Sequence, residues 1–102
     1  MNNTDFDWDD ANVSHIAQHG VKPEEAEEAL TNDPLEMDFE ITEDGEQHWS
    51  YLGETAASRL LYLIITLRGV RIRVVTAFDP PKREKLFYLE AKAGLKNDDE
   101  DS

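Results

Sequence analysis

Few residues in this 102-residue sequence have the types and spacing that chemistry needs. His15 and His19 lie four apart on a stretch with helical periodicity, so both imidazoles can face the same way. Two histidines at that spacing can ligate zinc. Gln18 stands beside His19, however, and no Glu follows His15, so the zinc-protease pattern is absent. Near a helix C-terminus the same pair can instead serve the dipole and the last carbonyls. A second group is basic: Arg59, Arg68, Arg71, Arg73, Lys82, Arg83 and Lys85 come from adjacent pieces of chain. Such a patch can hold phosphates, and Arg73 can stabilise the pentavalent phosphate of an RNA cleavage. It can equally dock on the protein's own acidic half or on an acidic partner, or be taken up in ordinary surface salt bridges. Trp8, Trp49, Tyr51 and Tyr88 offer rings for stacking bases. Trp8 and Trp49 read better as core or half-buried sheet residues. No P-loop, dinucleotide-binding, metalloprotease or nucleophile-elbow motif is present.

The charge is unevenly placed. The net value is −13, which argues against the whole molecule wrapping nucleic acid and against direct DNA binding. From Met1 to Ser58 there are sixteen acidic residues and only Lys22 is basic. From Arg59 to Asn97 nine basic residues face three acidic ones, Asp79, Glu84 and Glu90, before the acidic run Asp98 to Asp101. An asymmetry of this kind points to a charged partner or to plainly solvated faces. Cysteine is absent, which fits the cytoplasm. The opening residues carry neither a basic nor an apolar signal region, so no signal peptide is expected. The longest apolar run, Leu60 to Leu67, is far too short to span a membrane and reads as a buried strand.

Those candidates must be positioned by a small α+β domain. Phe6 to Trp8 reads as a short strand. Asp9 or Asp10 can cap a helix to about Gln18 with Val13, Ile16 and Ala17 inward and Gly20 as its stop. Pro23 opens a second helix, whose Ala26, Ala29 and Leu30 form the buried stripe. Leu35, Met37, Phe39 and Ile41 alternate with Glu36, Asp38 and Glu40, the mark of a half-buried strand with an acidic outer face. Gln47 to Leu52 returns antiparallel, Leu60 to Leu67 is a strand covered on both faces, and Arg68-Gly69 turns into a last strand from Arg71. Asp79-Pro80-Pro81 starts a final helix, with Asp79 a possible cap and Leu86, Phe87, Leu89 and Ala93 against the sheet. The expected order is β-α-α-β-β-β-β-α, an antiparallel sheet of four to five strands with two N-terminal helices and one C-terminal helix. Residues 1–5 read as a flexible N-terminus, 6–94 as one domain and 95–102 as a disordered acidic tail.

Taken in order, several segments resemble the BrnT family. They are Phe6-Asp7-Trp8-Asp9, Asn12, His15-Ile16, His19-Gly20-Val21 and Pro23-Glu24-Glu25-Ala26, then Asp33-Pro34-Leu35 and Leu52-Gly53. Arg71-Ile72-Arg73-Val74-Val75-Thr76-Ala77, Lys82-Arg83-Glu84 and Tyr88 continue the series. Each is weak alone, but their order and spacing together are specific, and they cover about Phe6 to Ala91. The resemblance implies a RelE-like fold and the toxin half of a type II toxin–antitoxin pair. Such a toxin cleaves RNA without a metal or cofactor and is neutralised by a basic, DNA-binding, BrnA-like antitoxin. By position, Arg73, Lys82, Arg83 and His19 are the implied catalytic residues. Two positions depart from the family pattern: Phe78 stands where an Arg is usual, and Glu54 where a basic residue is. Both remove positive charge from the implied RNA face. The alternative is therefore a catalytically lapsed relative that acts as a protein-interaction module.

Overall fold

A computed structural model describes residues 5–94; Asp5 is the only member of the expected N-terminal segment within it, and the expected acidic tail lies outside it. Asp9 caps helix α1 (Asp10–Ala17), its carboxylate accepting from the backbone of Ala11 and Asn12 while the Asn12 side chain accepts from Asp9 N. Gly20, with φ of +71°, reverses the chain into helix α2 (Pro23–Thr31). Pro23 sets the first turn of α2, and Glu25 reaches back to Lys22 N at 3.0 Å.

Four antiparallel strands follow in sequential order: β1 (Leu35–Ile41), β2 (Gln47–Glu54), β3 (Leu60–Arg68) and β4 (Arg71–Phe78). Helix α3 (Lys82–Lys92) ends the described chain. The order is thus α-α-β-β-β-β-α, the α+β class expected, with four strands. The strand expected over Phe6 to Trp8 is reduced to a single parallel bridge from Phe6 to Ile72. Its alternation is kept, since Phe6 and Trp8 pack on the core, but Asp9 starts a helix before a second bridge can form.

The core lies between one sheet face and the two N-terminal helices. Ile16, Val21, Ala26 and Ala29 meet Leu61, Leu63, Ile65, Val74 and Ala77, with Trp8 and Trp49 half-buried beside them. Gly53 on β2 lies so close to α2 that an added Cβ would stand 2.3 Å from Ala29 O.

Three expectations about facing are corrected. Val13 is only half-buried and Ala17 is exposed, while Asn12 is buried in their stead, its amide donating to Asp7 O and Val74 O. On β1, a bulge at Met37 shifts the register between Glu36 and Asp38, and Phe39 and Ile41 beyond it are 43% and 61% exposed on an edge strand. On α3, Tyr88 is the buried residue, and Leu86 and Leu89 are 51% and 59% exposed. The helix is rotated so that Tyr88 and Lys92, one turn apart, face the protein, and Lys92 Nζ reaches Asp33 at 3.0 Å.

Candidate functional site

The nominated residues lie on α1, β4 and the start of α3, and the structure divides them. Arg73 and His15 line one cleft of about 360 Å³ between α1 and the β3–β4 hairpin, with Asn12, Thr66 and Arg68 and with Glu46 from the turn before β2. The Arg73 side chain is only 14% exposed. Its guanidinium donates in a fork to the Asp9 carboxylate, Nη1 to Oδ2 at 3.0 Å and Nη2 to Oδ1 at 3.1 Å, with Asp7 at 3.6 Å. The cap residue of α1 therefore aims this cation into the cleft. His15 is exposed and its Nε2 sits 3.1 Å from Thr76 Oγ1.

His19, one turn further on, lies on the same side of the chain as His15 but does not line the cleft. Its ring meets His15 edge-on at 5.8 Å and Phe78 at 5.9 Å, and Phe78 in turn stacks on Tyr62 at 5.3 Å. The last pair is directly opposed across β3 and β4. Lys82 and Arg83 are exposed on the first turn of α3 and border a different depression, with Leu86, Phe87 and Glu90. Neither has an ion-pair partner among the described residues.

Arg59 ties the framework together. It donates to Asp79 at 3.0 and 3.1 Å, to Glu25 at 3.2 and 3.3 Å and to Gly20 O at 2.9 Å, so one side chain joins both N-terminal helices to the end of β4. Asp79, expected as a cap for α3, is occupied by this pair, and Pro81 stands at the cap without a side-chain bond. Of the basic set, Arg59, Arg68, Arg71 and Arg73 are all matched by carboxylates. The β1–β2 hairpin is the reverse. From Leu35 to Glu54 it holds seven carboxylates and no Lys or Arg, and only His48 pairs with one of them, Glu46.

These pairs leave a signature in acid. The Arg73 hydrogen bond holds the Asp9 carboxyl below its ordinary 3.8, and the Arg59 hydrogen bond does the same for Asp79. A carboxyl lowered in the folded state stabilises the fold fully above its unfolded value, and that contribution is lost as pH falls through the lower folded value. Stability followed against pH should therefore decline below about pH 4. Asp9→Asn, which still caps α1, and Asp79→Asn should each flatten the decline; two unchanged profiles would contradict the assignment.

Over residues 8–84 the sequence matches the family described as the ribonuclease toxin, BrnT, of type II toxin-antitoxin systems. The chain belongs to the BrnT family. That match spans α1, α2 and the whole sheet and stops in the first turn of α3. No curated protein matches the chain. Membership makes this chain a type II toxin–antitoxin ribonuclease toxin by family, with a cognate antitoxin as partner. No helix among the described residues is long and apolar enough to cross a membrane. The BrnT-like segments acquire physical roles: Asp9 caps α1 and orients Arg73, Asn12 ties α1 to β4, and Gly53 lets α2 approach β2. His15, named in the sequence as half of a histidine pair and in a BrnT-like segment but not as a catalytic residue, shares the cleft with Arg73. Its signal was position: it lies three residues after Asn12, on the face of α1 that meets β4.

Proposed function

We propose that this chain cleaves RNA without a metal, using the cleft between α1 and the β3–β4 hairpin. The observation that carries this reading is Arg73, held in a bidentate fork beside His15 on a chain of the BrnT family. Metal-free cleavage needs a base to take the proton of the attacking 2′-hydroxyl, an acid for the leaving 5′-oxygen and a cation at the phosphate. Arg73 supplies the cation. His15, with one ring nitrogen on Thr76 Oγ1 and the ring exposed, is a base or acid within the same cleft. Lys82 and Arg83 on α3 serve as contacts to more distant phosphates, and His19, in ring contact with His15 and Phe78, is a further acid or base.

The antitoxin is a basic, DNA-binding protein, a sign of charge that the cation-free β1–β2 hairpin fits. The toxin acts in the cytoplasm, as a single domain over residues 6–94. Induced alone in a bacterium, the protein should arrest growth and degrade transcripts, and co-expression of its neighbouring gene should restore growth. Normal growth with intact RNA would refute the nuclease reading.

One observation favours a second reading. Arg59, Arg68, Arg71 and Arg73 are all paired internally, and Phe78 presents a ring where the family pattern has a cation. A lapsed nuclease that retains only antitoxin binding has this appearance. It predicts a stable complex that tightens at low salt, with no cleavage.

A further inference from the structure

The segment before α1 alternates carboxylates with aromatic rings, and each carboxylate meets an arginine of the β3–β4 hairpin. Asp5 lies 3.5 Å from Arg71, Asp7 lies 3.8 Å from Arg68 and 3.6 Å from Arg73, and Asp9 holds Arg73 at 3.0 Å. The backbone of this strap is secured separately. Asp7 N donates to Ile72 O at 2.8 Å, Ile72 N to Asp5 O at 2.9 Å, and Arg71 Nη2 to Phe6 O at 3.2 Å, while Phe6 and Trp8 pack on the core. Displacing the Asp5 and Asp7 carboxylates from the arginines therefore leaves the strap's backbone bonds in place.

We propose that Arg68, Arg71 and Arg73 form a binding site for the phosphodiester backbone of single-stranded RNA, which Asp5 and Asp7 fill in the free protein and RNA enters by displacing them. This rests on the ribonuclease reading above. A guanidinium accepts a carboxylate or a phosphate by the same fork of donors, so the two compete directly. The Asp5–Arg71 and Asp7–Arg68 contacts are long, and the side chains of Arg71 and Arg68 are 49% and 58% exposed, whereas Asp7 is itself only 19% exposed where it lies against Arg73. Pairs with such exposed arginines are weak and readily exchanged, so Arg68 and Arg71 are released first and the Asp7 contact with Arg73 last. Asp9 differs, being bidentate on a largely buried Arg73 and bound also to the α1 backbone. It stays as the anchor and takes two of the five guanidinium donors of Arg73, leaving others for phosphate once Asp7 moves. The strap thereby masks three cations in a chain of net charge −13 until a polyanion is present to claim them.

The test is equilibrium binding of a single-stranded, 2′-O-methylated RNA oligonucleotide, which cannot be cleaved through its 2′-hydroxyl, across a salt series. Full-length Asp5→Asn/Asp7→Asn should bind about tenfold more tightly than the parent at low salt. The slope of log affinity against log salt should steepen by about 1.4, from two further phosphates at about 0.7 each. Adding Arg68→Gln and Arg71→Gln should cancel the gain. Unchanged affinity and slope in a double variant with a normal thermal transition would overturn the proposal, as would a gain that survives loss of the two arginines. Should the double variant fail to fold, Asp5→Asn alone, at a side chain 64% exposed, should show about half the change in slope, and a flat response overturns the proposal equally. Because the probe is not cleaved, tighter binding without RNA degradation in cells would sink the nuclease reading and leave the strap; degradation without tighter binding would do the opposite.

Discussion

Arg73→Ala is expected to lower RNA cleavage by about 10²–10³-fold and to relieve growth arrest on induction. The magnitude is that of removing one pre-aimed donor from a charge that develops in the transition state. Arg73 is suited to that role because its position is fixed before substrate arrives, by the Asp9 fork on one side and the cleft wall on the other. The fold should survive the change. Asp9 is 51% exposed and keeps its bonds to the α1 backbone, so the freed carboxylate is hydrated and still caps the helix. Arg73→Lys preserves the charge but loses the fork, and should fall between parent and alanine variant. Cleavage of total RNA by the purified variants decides the matter. An alanine variant as active as the parent would remove Arg73 from the reaction.

Gly53→Ala is the substitution expected to harm stability most, by about 3 kcal/mol, the upper end of the usual range for overpacking a core. The added methyl carbon would lie 2.3 Å from Ala29 O and 2.9 Å from Ala29 C. Both obstacles are backbone inside a regular helix, so no side chain can rotate out of the way. Relief requires α2 to lift from β2, and that would open the contacts of Ala26 and Ala29, both fully buried, with the sheet. A shift of the urea unfolding midpoint, at unchanged slope, measures the effect. An unshifted midpoint would mean that α2 is free to move.

The contrast between legible and illegible features has physical causes. Helix starts were readable at Asp9 and Pro23 because caps and first-turn proline act locally. The strand order followed from alternation and from the turn at Gly69, which is in the left-handed region. The bulge at Met37 was not readable, since a strict two-residue alternation gives no sign of one extra residue, and past that point the faces of Phe39 and Ile41 follow a different register. The rotation of α3 was hidden too. Leu86, Phe87 and Leu89 outnumber Tyr88 in apolar side chains, yet only Tyr88 is buried, one turn ahead of the Lys92 contact with Asp33. For the site, the basic patch was visible as a run of cations. Its neutralisation was not, because Asp5, Asp7 and Asp9 lie more than sixty residues away in sequence from the arginines they meet.

The bulged edge of the sheet carries one more implication. β1 has a strand on one side only, and an open edge with protruding Phe39 and Ile41 is the kind of surface on which two copies of a protein join strand to strand. Here an antiparallel pairing of β1 with its own copy, centred on Asp38, would bring Glu36, Asp38 and Glu40 against the same three residues. Like charges directly opposed across a strand pair are destabilising. In that register the acidic stripe opposes self-pairing along this edge.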